Sequence, residues 1–122
     1  MGFPHDVPTA PELVESVREW LERDVVPGAA PVNRFDARVA ANVLAIVERE
    51  LELGAAQDRR HRDRLEQLGV DDDKALAKGI REGRFDDRLA EVRRLVWESV
   101  RDKLAVANPR YVDRSEQRTV EP

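Results

Sequence analysis

The sequence predicts an all-α fold: a four- to five-helix bundle, mostly antiparallel, with an extended N-terminal arm and a mobile C-terminal tail. Three features carry that expectation. Apolar residues recur three and four positions apart in several stretches, the spacing of one helix face. Pro and Gly separate those stretches, and Thr, Asp or Asn stand where helices would begin. The composition, 41% hydrophobic and 38% charged over 122 residues, suits one globular helical domain with a heavily charged exterior. Residues 1–112 are expected to form that domain and 113–122 the tail.

Residues 1–8 hold Pro4 and Pro8 without periodicity and form the arm, with Phe3 free to dock on the body. Thr9-Ala10-Pro11-Glu12 reads as a capping box with proline in the first turn. It opens a first helix whose face is Leu13, Val17, Trp20 and Leu21. Pro27 to Pro31 then breaks the chain, and so short a connection favours an antiparallel partner. That partner is the central helix, Arg34 to Gly54, capped by Asn33. At about 100° per residue, its apolar side chains run from Phe35 through Val39, Val43 and Val47 to Leu44 over an arc of roughly 180°. A surface helix needs a stripe of only about 100°, so this face requires cover from two sides, by helices of the same chain or by a second copy.

Gly54 can end the central helix, or the helix continues after a kink. Residues 56–68 are mostly polar, with Leu65 and Leu68 as a narrow stripe, and belong at the edge of the domain. Gly69 marks their end, Asp71 to Asp73 offer caps for a short helix carrying Leu76 and Ile80, and Gly83 closes it. The last helix runs from about Asp87 to Ala107, with Leu89, Val92, Val96, Val100 and Leu104 on one face and Trp97 beside them. Asn108-Pro109 ends it, because the residue before proline resists helical geometry. The first, central and last helices should build the core, with the other two on one side.

Several functions lose support at once. Without cysteine there is no disulfide, no thiolate chemistry and no cysteine-bound zinc. A net charge of −4 disfavours a general hold on nucleic acid or on an anionic membrane. No apolar run approaches the ~20 residues of a membrane span, no leader precedes the domain, and a cytoplasmic protein is expected. Asp71-Asp72-Asp73 superficially suggests calcium, but Ala75 and Leu76 stand where the loop needs a ligand and a glycine. His5 and His61 have no carboxylate at ligand spacing, so no metal is expected, and His61 reads as solvated. The glycines form no phosphate-cradling loop, and no cofactor is expected. Arg59, Arg60, Arg62 and Arg64 make the one basic cluster, diluted by Asp58 and Asp63, and read as a solvated face. Ser16, Ser99 and Ser115 have no base near them in sequence, which leaves nucleophilic catalysis without support.

The polar residues that fit worst with a plain core helix are the candidates for function. Glu50 lies near the middle of the central helix's apolar face, Asp36 lies near its start, and Asn42 sits on its edge beside Arg38 and Arg49. A carboxylate in an apolar face must be paired, hydrogen-bonded or protonated. Arg93 falls inside the face of the last helix, so a Glu50–Arg93 pair is one solution. The set Arg38, Asn42, Glu50, Arg93 and Asp36 then forms either a buried network that fixes helix register or a polar pocket for a small anion or a partner's side chain. Asp36 alone also has a simpler account, a carboxylate in the first turn that suits the helix dipole.

Three segments carry a resemblance: Pro4-His5-Asp6 with Pro8-Thr9-Ala10, Arg38-Val39-Ala40-Ala41-Asn42 with Glu48 to Gly54, and Lys103-Leu104-Ala105 with Asn108-Pro109-Arg110-Tyr111. Through them the chain resembles a small bacterial family of uncharacterised helical domains, a domain of unknown function with no established activity. Its members are similar to short proteins or C-terminal extensions found beside aminoglycoside-phosphotransferase-like kinases and acyl-CoA dehydrogenases. Members often carry His where this chain has Asp36. The resemblance implies a non-catalytic accessory or interaction protein that partners a small-molecule kinase-like or acyl-CoA-metabolising enzyme. The wide central face and two tryptophans add the expectation of a homodimer. A small-ligand binder or minor enzyme using the polar pocket is the alternative, and a nucleic-acid-binding regulator comes third.

Overall fold

The computed structural model describes residues 7–111, so most of the expected arm and the whole of the expected tail lie outside the described residues. The protein is all-α. Its helices are α1 (Ala10–Trp20), α2 (Val26–Gly28), α3 (Pro31–Gln67), α4 (Asp73–Arg81) and α5 (Leu89–Ala107), and a wider π turn over Leu21–Val25 joins α1 to α2. Gly54 lies inside α3 and does not end it. Two compact units divide the chain, Met1–Gly54 and Ala55–Pro122. Among the described residues no helix is long and apolar enough to cross a membrane.

In Met1–Gly54, Thr9 caps α1 as its sequence requires: the Glu12 N–H donates to Thr9 Oγ1, and that hydroxyl donates to the Glu12 carboxylate at 2.9 Å. The break falls at Ala29, which is extended. From there α3 starts two residues before the expected cap at Asn33, because the Ala30 carbonyl already accepts the N–H groups of Asn33 and Arg34. Pro31 suits that first turn, since its φ is pre-set and it has no N–H to leave unpaired. The Arg34 Nη2 donates back to the Ala29 carbonyl at 3.2 Å and holds the turn.

Arg18 ties α1 to α3. Its Nε donates to Glu48 Oε2 at 2.7 Å, its Nη2 approaches Glu48 Oε1 at 3.5 Å, and its Nη1 donates to Glu22 within its own stretch of chain. The hydrogen-bonded Glu48 carboxylate raises the Arg18 guanidinium further above its ordinary pKa. Glu48 and Ala41 lie within about 20° of each other on α3. Ala41, 3% exposed, is the one buried side chain among the described residues of this unit. Val43 is roughly 160° away from Ala41. Much of the apolar arc therefore faces out: Phe35 is 72% exposed, and Val39, Val43 and Leu51 are exposed with it, while Leu44, Ile46 and Val47 are half-buried. Leu13, Val17 and Trp20 of α1 are exposed as well.

The core expected from the first, central and last helices is thus displaced. In Ala55–Pro122 the buried cluster is Leu65 and Leu68 at the end of α3, Val70, Leu76 of α4, Phe85 and, on α5, Val92 and Leu95. The segment expected at the edge supplies two of its members, because two leucines three residues apart suffice once the chain folds back twice over them. Both folds are Schellman turns. Gly69 has φ 72°, its N–H bonds the Glu66 carbonyl, and the Val70 N–H bonds the Leu65 carbonyl. Gly83 has φ 78°, its N–H bonds the Ile80 carbonyl, and the Arg84 N–H bonds the Gly79 carbonyl. Val70 and Leu65 meet in the core, which supplies the hydrophobic contact that goes with such a turn. Asp72 caps α4 by accepting the Ala75 N–H at 2.7 Å, and α5 ends at Asn108, both as expected.

Phe85 is the most enclosed side chain, 1% exposed, and Gly79 makes room for it. A Cβ at position 79 would lie 2.6 Å from the ring's Cε2. The guanidinium groups of Arg84 and Arg88 lie 5.7 and 6.0 Å from the ring centroid. Gly79→Ala should therefore destabilise the protein although alanine is the better helix former by about 1 kcal/mol. Overpacking costs roughly 1–3 kcal/mol, and a buried ring cannot swing aside, so a melting temperature lower by several degrees is expected. An unchanged or raised melting temperature would show that the ring is free to move.

Candidate functional site

The five residues singled out from the sequence are all exposed: Asp36, Arg38, Asn42 and Glu50 on α3, and Arg93 on α5. No charged or polar residue is buried among the described residues. On the helix wheel Glu50 and Asp36 stand within the exposed apolar arc, and Arg38 and Asn42 stand at its edge. The Met1–Gly54 part of the set is therefore an apolar surface with two carboxylates in it and a basic and amide rim.

A second constellation, in Ala55–Pro122, was hidden from the sequence by distance along the chain. Gln57, Arg60, His61 and Arg64 recur at the spacing that puts them on one face of α3. Glu98, Ser99 and Asp102 share a face of α5. Gln57 Nε2 donates to the Asp102 carbonyl at 2.7 Å, and Arg60 Nε and Arg64 Nη1 donate to Asp102 Oδ2 at 3.2 and 3.1 Å. Arg64 Nε reaches Glu98 at 3.3 Å. These bonds form a polar zipper between α3 and α5 beside the apolar cluster. Of the arginine run read as a solvated face, Arg59, Arg60 and Arg62 are exposed, and the exception is Arg64, which is largely shielded and paired with Glu98 and Asp102, as Arg60 is with Asp102. Burial by itself would raise the Asp102 carboxyl, but the hydrogen bonds from Arg60 and Arg64 outweigh it and hold the group below its ordinary value.

His61, read as solvated, is partly exposed and has a partner at each ring nitrogen. Its Nδ1 is 2.7 Å from Ser99 Oγ and its Nε2 is 2.7 Å from Asp73 Oδ1, in the first turn of α4. Arg64 Nη1 donates to the same Ser99 Oγ at 3.0 Å. Ser99, dismissed because no base neighbours it in sequence, has one in space, 38 residues back along the chain. The signal that could have found this pair was complementary polar spacing on two helices, His61 and Arg64 on one and Ser99 and Asp102 on the other, each next to an apolar stripe. Among the described residues no three His, Cys, Asp or Glu side chains gather to hold a metal.

The model of the Domain of unknown function (DUF6285) matches residues 27–111. No curated protein and no solved structure matches the chain.

The zipper makes a pH-dependent contribution whose sign follows from Asp102. A carboxyl with a depressed folded-state pKa adds stability that is fully present above its unfolded pKa of about 4 and is lost as pH falls through the folded value. Asp102→Asn should cost about 1–3 kcal/mol at pH 7, and the gap between variant and wild type should close as pH falls below about 4. Urea unfolding at several pH values measures both. A gap that stayed constant to the lowest pH would remove Asp102 as the titrating group.

Proposed function

The chain belongs to the Domain of unknown function (DUF6285) family, and we propose that it is an accessory protein that works by binding other proteins. One observation carries this reading. On the widest apolar face of the chain Phe35, Val39, Val43 and Leu51 are exposed, and so are Leu13, Val17 and Trp20 of α1. A contiguous exposed apolar surface of this kind is the mark of an interaction site. A second copy is the occupant we favour for the α3 face, because a self-complementary helix face is the simplest route to a symmetric dimer.

Glu50 and Asp36 within that face, and Arg38 and Asn42 along its edge, then set register and partner choice in place of enclosing a ligand. An exposed carboxylate in an apolar patch favours partners that bring a matching cation and repels those that do not. The dimer's client, on the resemblance set out above, is a small-molecule kinase-like or acyl-CoA-metabolising enzyme. A cytoplasmic setting fits a chain without cysteine.

Affinity purification of the full chain together with the products of the genes beside its own tests the client. The reading expects one such enzyme to co-purify in stoichiometric amount with the wild type. It also expects the enzyme to be lost from a Val39→Asp, Val43→Asp double variant that keeps its helical circular dichroism. Retention of the enzyme by the folded double variant, or no enzyme with the wild type, would overturn it.

A further inference from the structure

We infer that Ser99 is an activated nucleophile and that Ala55–Pro122 carries an acyl-transfer site built from Ser99, His61, Asp73 and Arg64. The inference goes beyond the accessory role. It rests on four side chains from three elements: His61 and Arg64 of α3, Asp73 of α4 and Ser99 of α5.

The proton positions follow from the donors available. An ionised Asp73 carboxylate can only accept, so the hydrogen bond at 2.7 Å requires a proton on His61 Nε2. In the neutral ring Nδ1 is then bare, and the hydrogen bond at 2.7 Å from Ser99 must be donated by the serine hydroxyl. Arg64 has no acceptor, so its Nη1 donates to Ser99 Oγ and places positive charge beside the oxygen that must lose a proton. The chain Arg64 to Ser99 to His61 to Asp73 thus runs in one direction. It has the logic of a serine-hydrolase triad, in which a carboxylate fixes the imidazole tautomer and the imidazole takes the serine proton. The two ring nitrogens exchange roles relative to that arrangement, which leaves the proton transfer unchanged.

The substrate class is a carboxylic ester. Ser99 Oγ attacks the carbonyl carbon as its proton passes to His61 Nδ1, forming the new C–O bond. Collapse of the tetrahedral adduct breaks the bond to the leaving oxygen, which takes the proton from His61 Nδ1 and departs as the alcohol. Water then attacks acyl-Ser99 with His61 as base, and the carboxylic acid leaves as Ser99 recovers its proton. Within a helix the backbone N–H groups near Ser99 are spent on the helix itself. Arg64, whose side chain is 11% exposed and fixed by Glu98 and Asp102, holds its Nη1 3.0 Å from Ser99 Oγ, so its charge lies beside the reacting centre. Asp73 is a positioning residue that acts through His61.

A fluorophosphonate probe, which phosphonylates activated serines, tests the assignment on the full chain, read by intact mass and peptide mapping. One adduct at Ser99 is expected in the wild type and none in Ser99→Ala. His61→Gln should slow labelling about a hundredfold or more, the contribution of a general base. Asp73→Asn should slow it at least about tenfold, with recovery in Asp73→Glu, because the carboxylate sets the tautomer. Asp73 is largely exposed, so both of its variants should melt with the wild type. The 15N spectrum of the His61 ring should show the Nε2–H tautomer in the wild type and lose that preference in Asp73→Asn. Failure of Ser99 to label in the folded wild type, or labelling that is indifferent to Asp73→Asn in a folded variant, would overturn the inference.

Discussion

The ion pair between Arg18 and Glu48 decides which side of α3 is used up in Met1–Gly54. An arginine on α1 that reaches Glu48 at 2.7 Å brings α1 to the side of α3 that carries Glu48 and Ala41. Both partners are largely shielded, so the pair is a charge-assisted contact of the stronger kind, and losing one member would leave the other poorly solvated. Alanine at position 41 suits such a contact because its small side chain permits close approach. The consequence is geometric. Once that side is occupied, Phe35, Val39 and Val43 are turned away from it, and their apolar area stays in water unless another protein covers it. At about 25 cal/mol per Å² of apolar surface removed from water, covering such a face would be favourable.

Ala55–Pro122 reaches the opposite balance. Seven of its apolar side chains close a cluster around Phe85, while Val96, Trp97 and Val100 of α5 stay exposed, and the two Schellman turns at Gly69 and Gly83 bring three helical segments over one another within a short length of chain. The polar side chains on α3 and α5 are spent on each other. Arg64 is the hinge of that arrangement: it meets Glu98, Ser99 and Asp102 at once, so a charge that would be costly to enclose is met on every side. The buried apolar cluster thus lies in Ala55–Pro122, while Met1–Gly54 buries Ala41 alone among its described residues.

Much of the helix plan could be read from the residues, and the reason is locality. Thr9, Asp72, Gly69, Gly83 and Asn108 act on backbone groups within five positions of themselves, so their meaning does not depend on the rest of the chain. The side of α3 that packs depends on Arg18, thirty residues away, and an apolar wheel has no means of registering an ion pair on the opposite side. For the same reason Glu50 looked like a carboxylate in need of a buried partner. That argument holds only if the arc around it is covered. Phe85 escaped notice because it is a lone aromatic between Gly83 and Asp87 with no periodic neighbours. His61 and Ser99 escaped because their contact spans 38 positions.

Sedimentation velocity of the full chain across micromolar concentrations tests most directly whether the α3 face is a docking surface. The account predicts a species of about twice the 13.9 kDa chain mass that reverts to the single-chain mass when Val39 and Val43 are replaced by Asp. A single-chain species at every concentration in the wild type, or a dimer indifferent to those replacements, would contradict it.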